Sequence, residues 1–214
     1  MRLCICTSLL TLLGLVHAQV WGLQMALGLT LNPPVDLLVV QQGHPEAWVK
    51  GARFEGRDLE PFPYYTLRLW YGEPVGWRLE LELIHQKLYF VEAEAGGEIL
   101  QQLHVTDGFN YLPLNLAYGL DTGALRLWPR LGLGAVVPHP ETVVRGQAWG
   151  VDGDPLYYHL GGVGGQVALG VGWPGWAGAF VEGKLTLGLS RLQIAEGYIW
   201  GHFRTLHLNL GFGP

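Results

Sequence analysis

Along residues 21–32 the chain alternates, with Trp21, Leu23, Met25, Leu27, Leu29 and Leu31 on the odd positions and Gly22, Gln24, Ala26, Gly28, Thr30 and Asn32 on the even ones. A period of two is the mark of a β-strand with one apolar face. The same period returns over residues 64–71, 77–84, the second half of 104–119, 125–137, 158–173, 177–187 and 202–212, which makes eight predicted strands, the first half of 104–119 being a polar cluster where a loop descends into the sheet. The links between them take turns. Gly-Glu-Pro-Val-Gly at 72–76, Asp-Thr-Gly at 121–123 and Trp-Pro-Gly-Trp at 173–176 are short; residues 33–63, 90–102, 138–157 and 189–200 form long connections. The first of these holds an apolar stretch at 35–40 and is expected to be an outer loop carrying a short strand extension.

An even number of strands, each of roughly 9–11 residues or more, with tight turns at one end and long loops at the other, is the plan of a membrane-spanning barrel. A soluble, lipocalin-like barrel also alternates, so the content of the second face must decide. That face carries Gly162, Gly164, Gln166, Ala168, Gly170 and Gly172 in one strand and Arg126, Trp128, Arg130, Gly132 and Gly134 in another. Small residues mixed with a few large polar ones fit the narrow inside of eight strands better than a water-facing surface. Trp21, Tyr71, Trp77, Tyr118 and Trp173 cluster toward the short-turn ends, as an aromatic girdle does. Unpaired edges cannot persist in hydrocarbon, so the strands are expected to close into an eight-stranded antiparallel transmembrane β-barrel of the outer-membrane type.

Composition agrees. Of 214 residues 49% are apolar and only 14% charged, with 32 Gly and 9 Trp. The net charge is −5 with no basic patch, which argues against nucleic acid as a partner. The long apolar run is N-terminal, from Leu3 to Val16, behind Arg2 and ahead of Val16 and Ala18 at the small-residue positions of a cleavage site. Residues 1–18 are therefore expected to be a secretory signal and 19–214 the barrel. Both cysteines, Cys4 and Cys6, fall inside that signal, so the mature chain has neither disulfide nor thiol chemistry. Export without disulfides fits the bacterial outer membrane, with the barrel-insertion machinery as a partner, a monomeric state, and surrounding lipid or lipopolysaccharide as the other contact.

By parity the lumen should hold Arg68, Arg78, Glu80, Glu82, Arg126, Arg130, Glu182, Lys184, Gln166, Asn115, His207 and Asn209. Charges withdrawn from water must pair, so these are expected to plug the barrel with ion pairs and leave no wide pore. At the loop end a different set gathers: Glu82, His85 and Lys87 where the third strand leaves, His104, Asp107 and Asn110 where the fourth enters, His139 and Glu141 after the fifth, Glu182 and Lys184 from the seventh. Imidazoles and carboxylates from separate strands could converge there as general acid and base, or around a divalent metal. No spacing among them names a metal, and a lone histidine at a barrel rim is more often a solvated or interfacial residue. There is no G-x-S-x-G elbow, phosphate loop or paired C-x-x-C, and the glycines at 161–165 lie in a strand without a following helix.

Four blocks, ELIHQKLY at 82–89, VTDGFNYLPLNLAY at 105–118, RLGLGAVVPHPE at 130–141 and AFVEGK at 179–184, run in one order over most of the mature chain. Together they resemble outer-membrane barrels of the lipid A oxidase type. That resemblance implies an enzyme that oxidises the proximal glucosamine of lipid A to aminogluconate with oxygen. Carried over by position, it implies catalytic roles for Glu82, His85, Asp107, His139 and Glu182 and substrate contacts from Lys87, Asn110 and Lys184. His85, Asp107 and His139 would lie near a metal or an oxygen intermediate, Glu82 or Glu182 would be the base, and Lys87 or Lys184 would meet a lipid phosphate. Asn115 would be structural. The competing readings are a non-catalytic barrel that anchors or presents loops, and a deacylase or acyltransferase resting on Ser190 and His202.

Overall fold

The computed structural model describes residues 19–151, 157–173, 175 and 178–213. The expected signal, 1–18, lies outside them. Among the described residues fourteen strands are formed: β1 (Val20–Leu31), β2 (Val35–Gln41), β3 (Ala47–Glu55), β4 (Tyr65–Gly72), β5 (Gly76–His85), β6 (Leu88–Glu92), β7 (Leu100–Val105), β8 (Phe109–Asp121), β9 (Arg126–Pro138), β10 (Glu141–Val144), β11 (Gln147–Trp149), β12 (Gly162–Gly172), β13 (Ala179–Ile194) and β14 (Gly197–Phe212).

Eight of them make a closed antiparallel ring in the order β1, β4, β5, β8, β9, β12, β13, β14. Closure runs from Met25 opposite Phe212 to Leu31 opposite Leu206. The period of two sets which way each side chain points. Leu114, Leu133 and Leu169 are 52%, 75% and 47% exposed, whereas Glu80 and Arg130 are 0% and 4% exposed. A belt of Leu, Val and Met around a polar interior is inside-out for water and correct for hydrocarbon. Trp21, Tyr71, Trp77, Tyr118 and Trp173 are exposed at the short-turn end, where the girdle was expected.

The remaining six strands stand above the ring as a cap. β2 continues the sheet from the outer part of β14, pairing Gly201 with Leu37, and β3, β6, β7, β10 and β11 follow in turn. The last hairpin folds back: Gln41 donates to Gln147 at 2.9 Å and Arg145 to Gln41 at 3.0 Å. The cap and the upper lumen share one apolar core, including Leu37, Val39, Leu103, Val105, Phe109, Tyr111, Ile199 and Phe203. Below it the lumen is polar. The barrel thus has two fillings, hydrocarbon side chains above and ion pairs beneath.

Three expectations are corrected. The connection 189–200 is not a long loop: β13 and β14 run on past the membrane to residues 194 and 197 and reverse over Ala195 and Glu196, the latter at φ 56. Strand 104–119 is two strands, broken at 106–108, so His104 belongs to β7 in the cap. Arg126 is exposed at the short-turn end, where it pairs with Asp121 at 3.2 Å. At the mouth of a strand the parity rule fails because water reaches both faces.

Candidate functional site: a polar row on the outer wall

The lumen residues form one network. Glu82 accepts from Arg68 at 2.7 Å, Lys184 at 2.5 Å, Asn115 at 2.9 Å and Gln166 at 2.6 Å. Glu182 accepts from Arg68 at 2.9 Å, from Arg130, and from Asn209 at 3.2 Å, and pairs with Lys184 at 3.1 Å. Glu80 joins Arg130 at 2.7 Å and Arg78 at 2.8 Å, and Arg78 lies between the rings of Trp70 and Trp128. Gly132 makes this packing feasible, since a Cβ there would lie 1.8 Å from Asn115 Oδ1. The site residues inferred from the sequence therefore divide. Glu82, Glu182 and Lys184 are sealed in the lumen, fully engaged, and do not meet the lip residues.

His85, Asn110, Asp107 and His139 do come together, and on the opposite face of the wall. Register places Tyr65 opposite His85 and Asn110 opposite Val137, with Ile84 opposite Tyr111 fixing the two hairpins side by side. One pleat below, Leu67 opposes Leu83 and Leu112 opposes Ala135. The row Tyr65, His85, Asn110, Val137 is thus the next lipid-side row above a row of leucines. Polar side chains here face sideways, at the rim of the apolar belt.

The local geometry is well defined. His85 Nδ1 lies 2.9 Å from Asn110 Oδ1, and Asn110 Nδ2 donates to the carbonyl of Gly108 at 3.3 Å. That second bond orients the amide with its oxygen toward the ring, so Nδ1 carries the proton and Nε2 the lone pair. Nε2 is buried and has no hydrogen-bond partner among the described residues. Tyr65 stacks on the imidazole, with centroids 4.9 Å apart and planes 19° apart. His139 Nδ1 is 3.6 Å from Asp107 Oδ2, and Tyr158 packs on His139 and donates to the Asp107 carbonyl at 2.6 Å. Gly108, at φ 113, turns the chain between these groups; a Cβ on it would lie 2.5 Å from His85 Nδ1 and 2.4 Å from Asn110 Oδ1. Tyr65, His85, Asp107, Asn110 and Tyr158, together with Phe62, Leu83, Leu112 and Val137, line a groove of about 440 Å3.

Other expected members lie apart. Lys87 is buried and donates to the Pro61 carbonyl at 3.1 Å. His104 packs on Tyr89 within the cap, where burial lowers its pKa, and Glu141 accepts a hydrogen bond from Thr106. Ser190 is buried in the lumen and His202 is exposed on the outer face, so they form no nucleophile and base pair. Among the described residues no group of three or more His, Cys, Asp or Glu could hold a metal ion. A divalent metal would find only the His139 and Asp107 pair among the described residues there. Sequence reasoning missed Tyr65, Phe62 and Tyr158. The tight 72–76 link could have found Tyr65, because a hairpin turn fixes the register that sets it opposite His85.

No protein-family model matches the chain, and no curated protein matches it. Solved structures do. The outer membrane protein OprG from Pseudomonas aeruginosa is 11% identical, with 91% of this chain and 95% of that one covered and a TM-score of 0.52. Neisserial surface protein A is 9% identical, covering 92% and 97%, with a TM-score of 0.44. Ail, the attachment invasion locus protein of Yersinia pestis, is 9% identical, covering 90% and 98%, with a TM-score of 0.41. The OprG likeness bears on the fold, and joins the belt and the closed ring in making this chain an eight-stranded β-barrel of the outer-membrane type.

Proposed function

We propose that this protein is a non-conducting barrel of the bacterial outer membrane that engages the sugar headgroup of an outer-leaflet glycolipid in the His85 groove. The observation that carries the reading is the lipid-side row of Tyr65, His85, Asn110 and Val137, directly above leucines. A lipid whose chains lie against Leu83 and Leu112 has its headgroup at the level of His85 without leaving the bilayer. The sealed lumen supports the same reading, because nothing of useful size passes through ion pairs and an apolar cap.

The catalytic form of the proposal is the lipid A oxidase type of chemistry that the sequence blocks imply. His85 Nε2 is the base at hand, and the Asp107 and His139 pair beside it is the second proton-handling unit. A sugar hemiacetal would lose two hydrogens to dioxygen, giving hydrogen peroxide and a lactone, and water would open the lactone to the acid. The net change is one oxygen. Mass spectrometry of envelope lipids from cells with and without the gene tests it. A gain of one oxygen that disappears in His85→Ala and Asp107→Asn supports the oxidase. Unaltered lipids, with wild-type barrel still cross-linking to glycolipid through a photoreactive group at position 112, leave the headgroup-binding form. No cross-link and no mass change refute both.

A further inference from the structure

Three strands further round the ring, the wall of β9, β12, β13 and β14 carries a second hollow, of about 860 Å3. One row across it sets Leu133 opposite Gly165, Gly165 opposite Leu187, and Leu187 opposite Arg204. The next row toward the cap sets Ala135 opposite Val163, Val163 opposite Leu189, and Leu189 opposite His202. Leu133, Val163, Leu187 and Leu189 are all exposed, so this is the lipid side. Gly165 leaves a trough between its leucine neighbours; a Cβ there would lie 3.1 Å from Leu133 Cδ2. The trough is apolar along its length and basic at one edge.

That edge is made by Arg204 and His202. Among the described residues no hydrogen bond or ion pair involves either side chain, and no acidic residue lines the hollow. The nearest carboxylate on the adjoining strand, Asp36, is already held by Lys50 at 2.8 Å and by the amide of Gly51 at 2.9 Å. Height matters as much as charge. Below Arg204 on the same face lie Leu206, Leu208, Leu210 and Phe212, a span of eight residues or roughly 27 Å along the strand. At a tilt of about 40° that is about 21 Å of membrane, which brings the guanidinium to the top of an apolar band about 25 Å tall. A cation on a lipid-facing wall is costly at the midplane and tolerated at the interface, so at this height the guanidinium is stable and stands level with the layer of lipid phosphates.

We propose that this hollow binds one anionic phosphate-bearing lipid of the outer leaflet. An acyl chain lies in the trough over Gly165, and the phosphate accepts hydrogen bonds from Arg204 and His202. The ligand is a membrane lipid and not free phosphate, because most of the lining is apolar and fits a chain. The site shares only β9 with the His85 groove, its basic edge lies on β14, and it does not depend on that groove.

The test uses the full-length barrel, purified in a neutral detergent and incubated with dioleoyl phosphatidylglycerol or dioleoyl phosphatidylcholine before native mass spectrometry. Wild type is expected to retain the anionic lipid about tenfold better, the effect of one charge-assisted pair. The preference should vanish in Arg204→Gln with His202→Gln, and retention of both lipids should fall in Gly165→Leu. Where Gly165→Leu does not fold, Val163→Trp, on the exposed face, fills the same trough. His85→Ala should leave the preference intact while abolishing any lipid modification, so the two sites fail separately. Equal retention of the two lipids by wild type, a preference that survives loss of Arg204 and His202, or displacement of the lipid by millimolar inorganic phosphate would each overturn the proposal.

Discussion

The lumen of the lower barrel and the groove on its outer wall both set polar and ionisable side chains on the same strands and treat them in opposite ways. Inside, Glu82 alone accepts from Arg68, Lys184, Asn115 and Gln166, so its lone pairs are used up. Outside, His85 has one hydrogen bond through Nδ1, and Nε2 is left over. A buried charge satisfied on every side, as that of Glu82 is, has no chemistry to spare. A polar group at the rim of the belt needs only enough contacts to hold its orientation. The comparison teaches that the conspicuous charges of this chain maintain the barrel, and that its candidate chemistry lies with quieter residues on the other face of the same strands.

Disturbing the lumen should have the largest effect. Glu182→Ala strands Arg68, Arg130 and Lys184 around an uncompensated void, and should cost about 3–5 kcal/mol. Urea unfolding in micelles, followed by tryptophan fluorescence, measures it. His85→Ala under the same conditions should cost less, about 1–2 kcal/mol, for one hydrogen bond to Asn110 and the stacking on Tyr65. Equal losses in the two variants would mean that the wall residue is structural after all. Replacing Glu82 with Gln should fall between them, because the amide keeps acceptor capacity for Asn115 while losing the charge that Arg68 and Lys184 need.

Next in size is Gly108→Ala. The residue sits at φ 113, where a side chain is strained by about 1–3 kcal/mol, and its Cβ would also collide with the His85 and Asn110 pair. Stability should drop by an amount in that range, and the His85 imidazole resonances should move while those of His207 in the lumen do not. An unshifted His85 would show that the turn at 106–108 does not hold the groove in shape.

Parity read most of this architecture from the chain. It set Glu80, Arg68 and Arg130 inside and Leu114 and Leu133 outside, because each strand has one uniform environment per face through the membrane. Where that uniformity ends the rule loses its grip. The apolar residues of the cap, Leu37 and Val39 among them, sit in a segment whose prolines and charges look like loop, and their burial depends on pairing with β14, which local pattern does not encode. Arg126 is at a strand mouth. Glu82, Glu182 and Lys184 were assigned both to the lumen and to the lip by sequence, and only three-dimensional distance separates the two. Tyr158 joins the groove from a segment read as strand, through a hydrogen bond to the Asp107 carbonyl that no spacing encodes.

That hydrogen bond gives a smaller prediction. Tyr158→Phe keeps the ring on His139 but removes the 2.6 Å bond to Asp107, for about 1 kcal/mol or less. Calorimetry of the barrel should register little change, while any lipid turnover should fall as Asp107 loses its fixed position. Turnover equal to wild type would detach Tyr158, and the Asp107 pair with it, from the candidate chemistry.

The smallest effect is expected in the cap. His104 is partly buried against Tyr89, and desolvation holds its pKa below the usual 6.5, with Glu141 working weakly in the other direction. A depressed imidazole makes no difference to stability at high pH, where folded and unfolded chains are both neutral. As pH falls through about 6.5 the unfolded chain takes up a proton that the folded cap refuses, so the cap loses stability from there down to the folded value. His104→Gln should remove that portion of the slope and leave the rest. Hydrogen exchange at the amides of β7 and β10, followed at mildly acidic and neutral pH in wild type and variant, isolates the contribution from the other histidines. If the two proteins open with the same pH dependence, His104 is as well solvated as a surface residue, and the cap is a looser lid over the apolar tier than its packing implies.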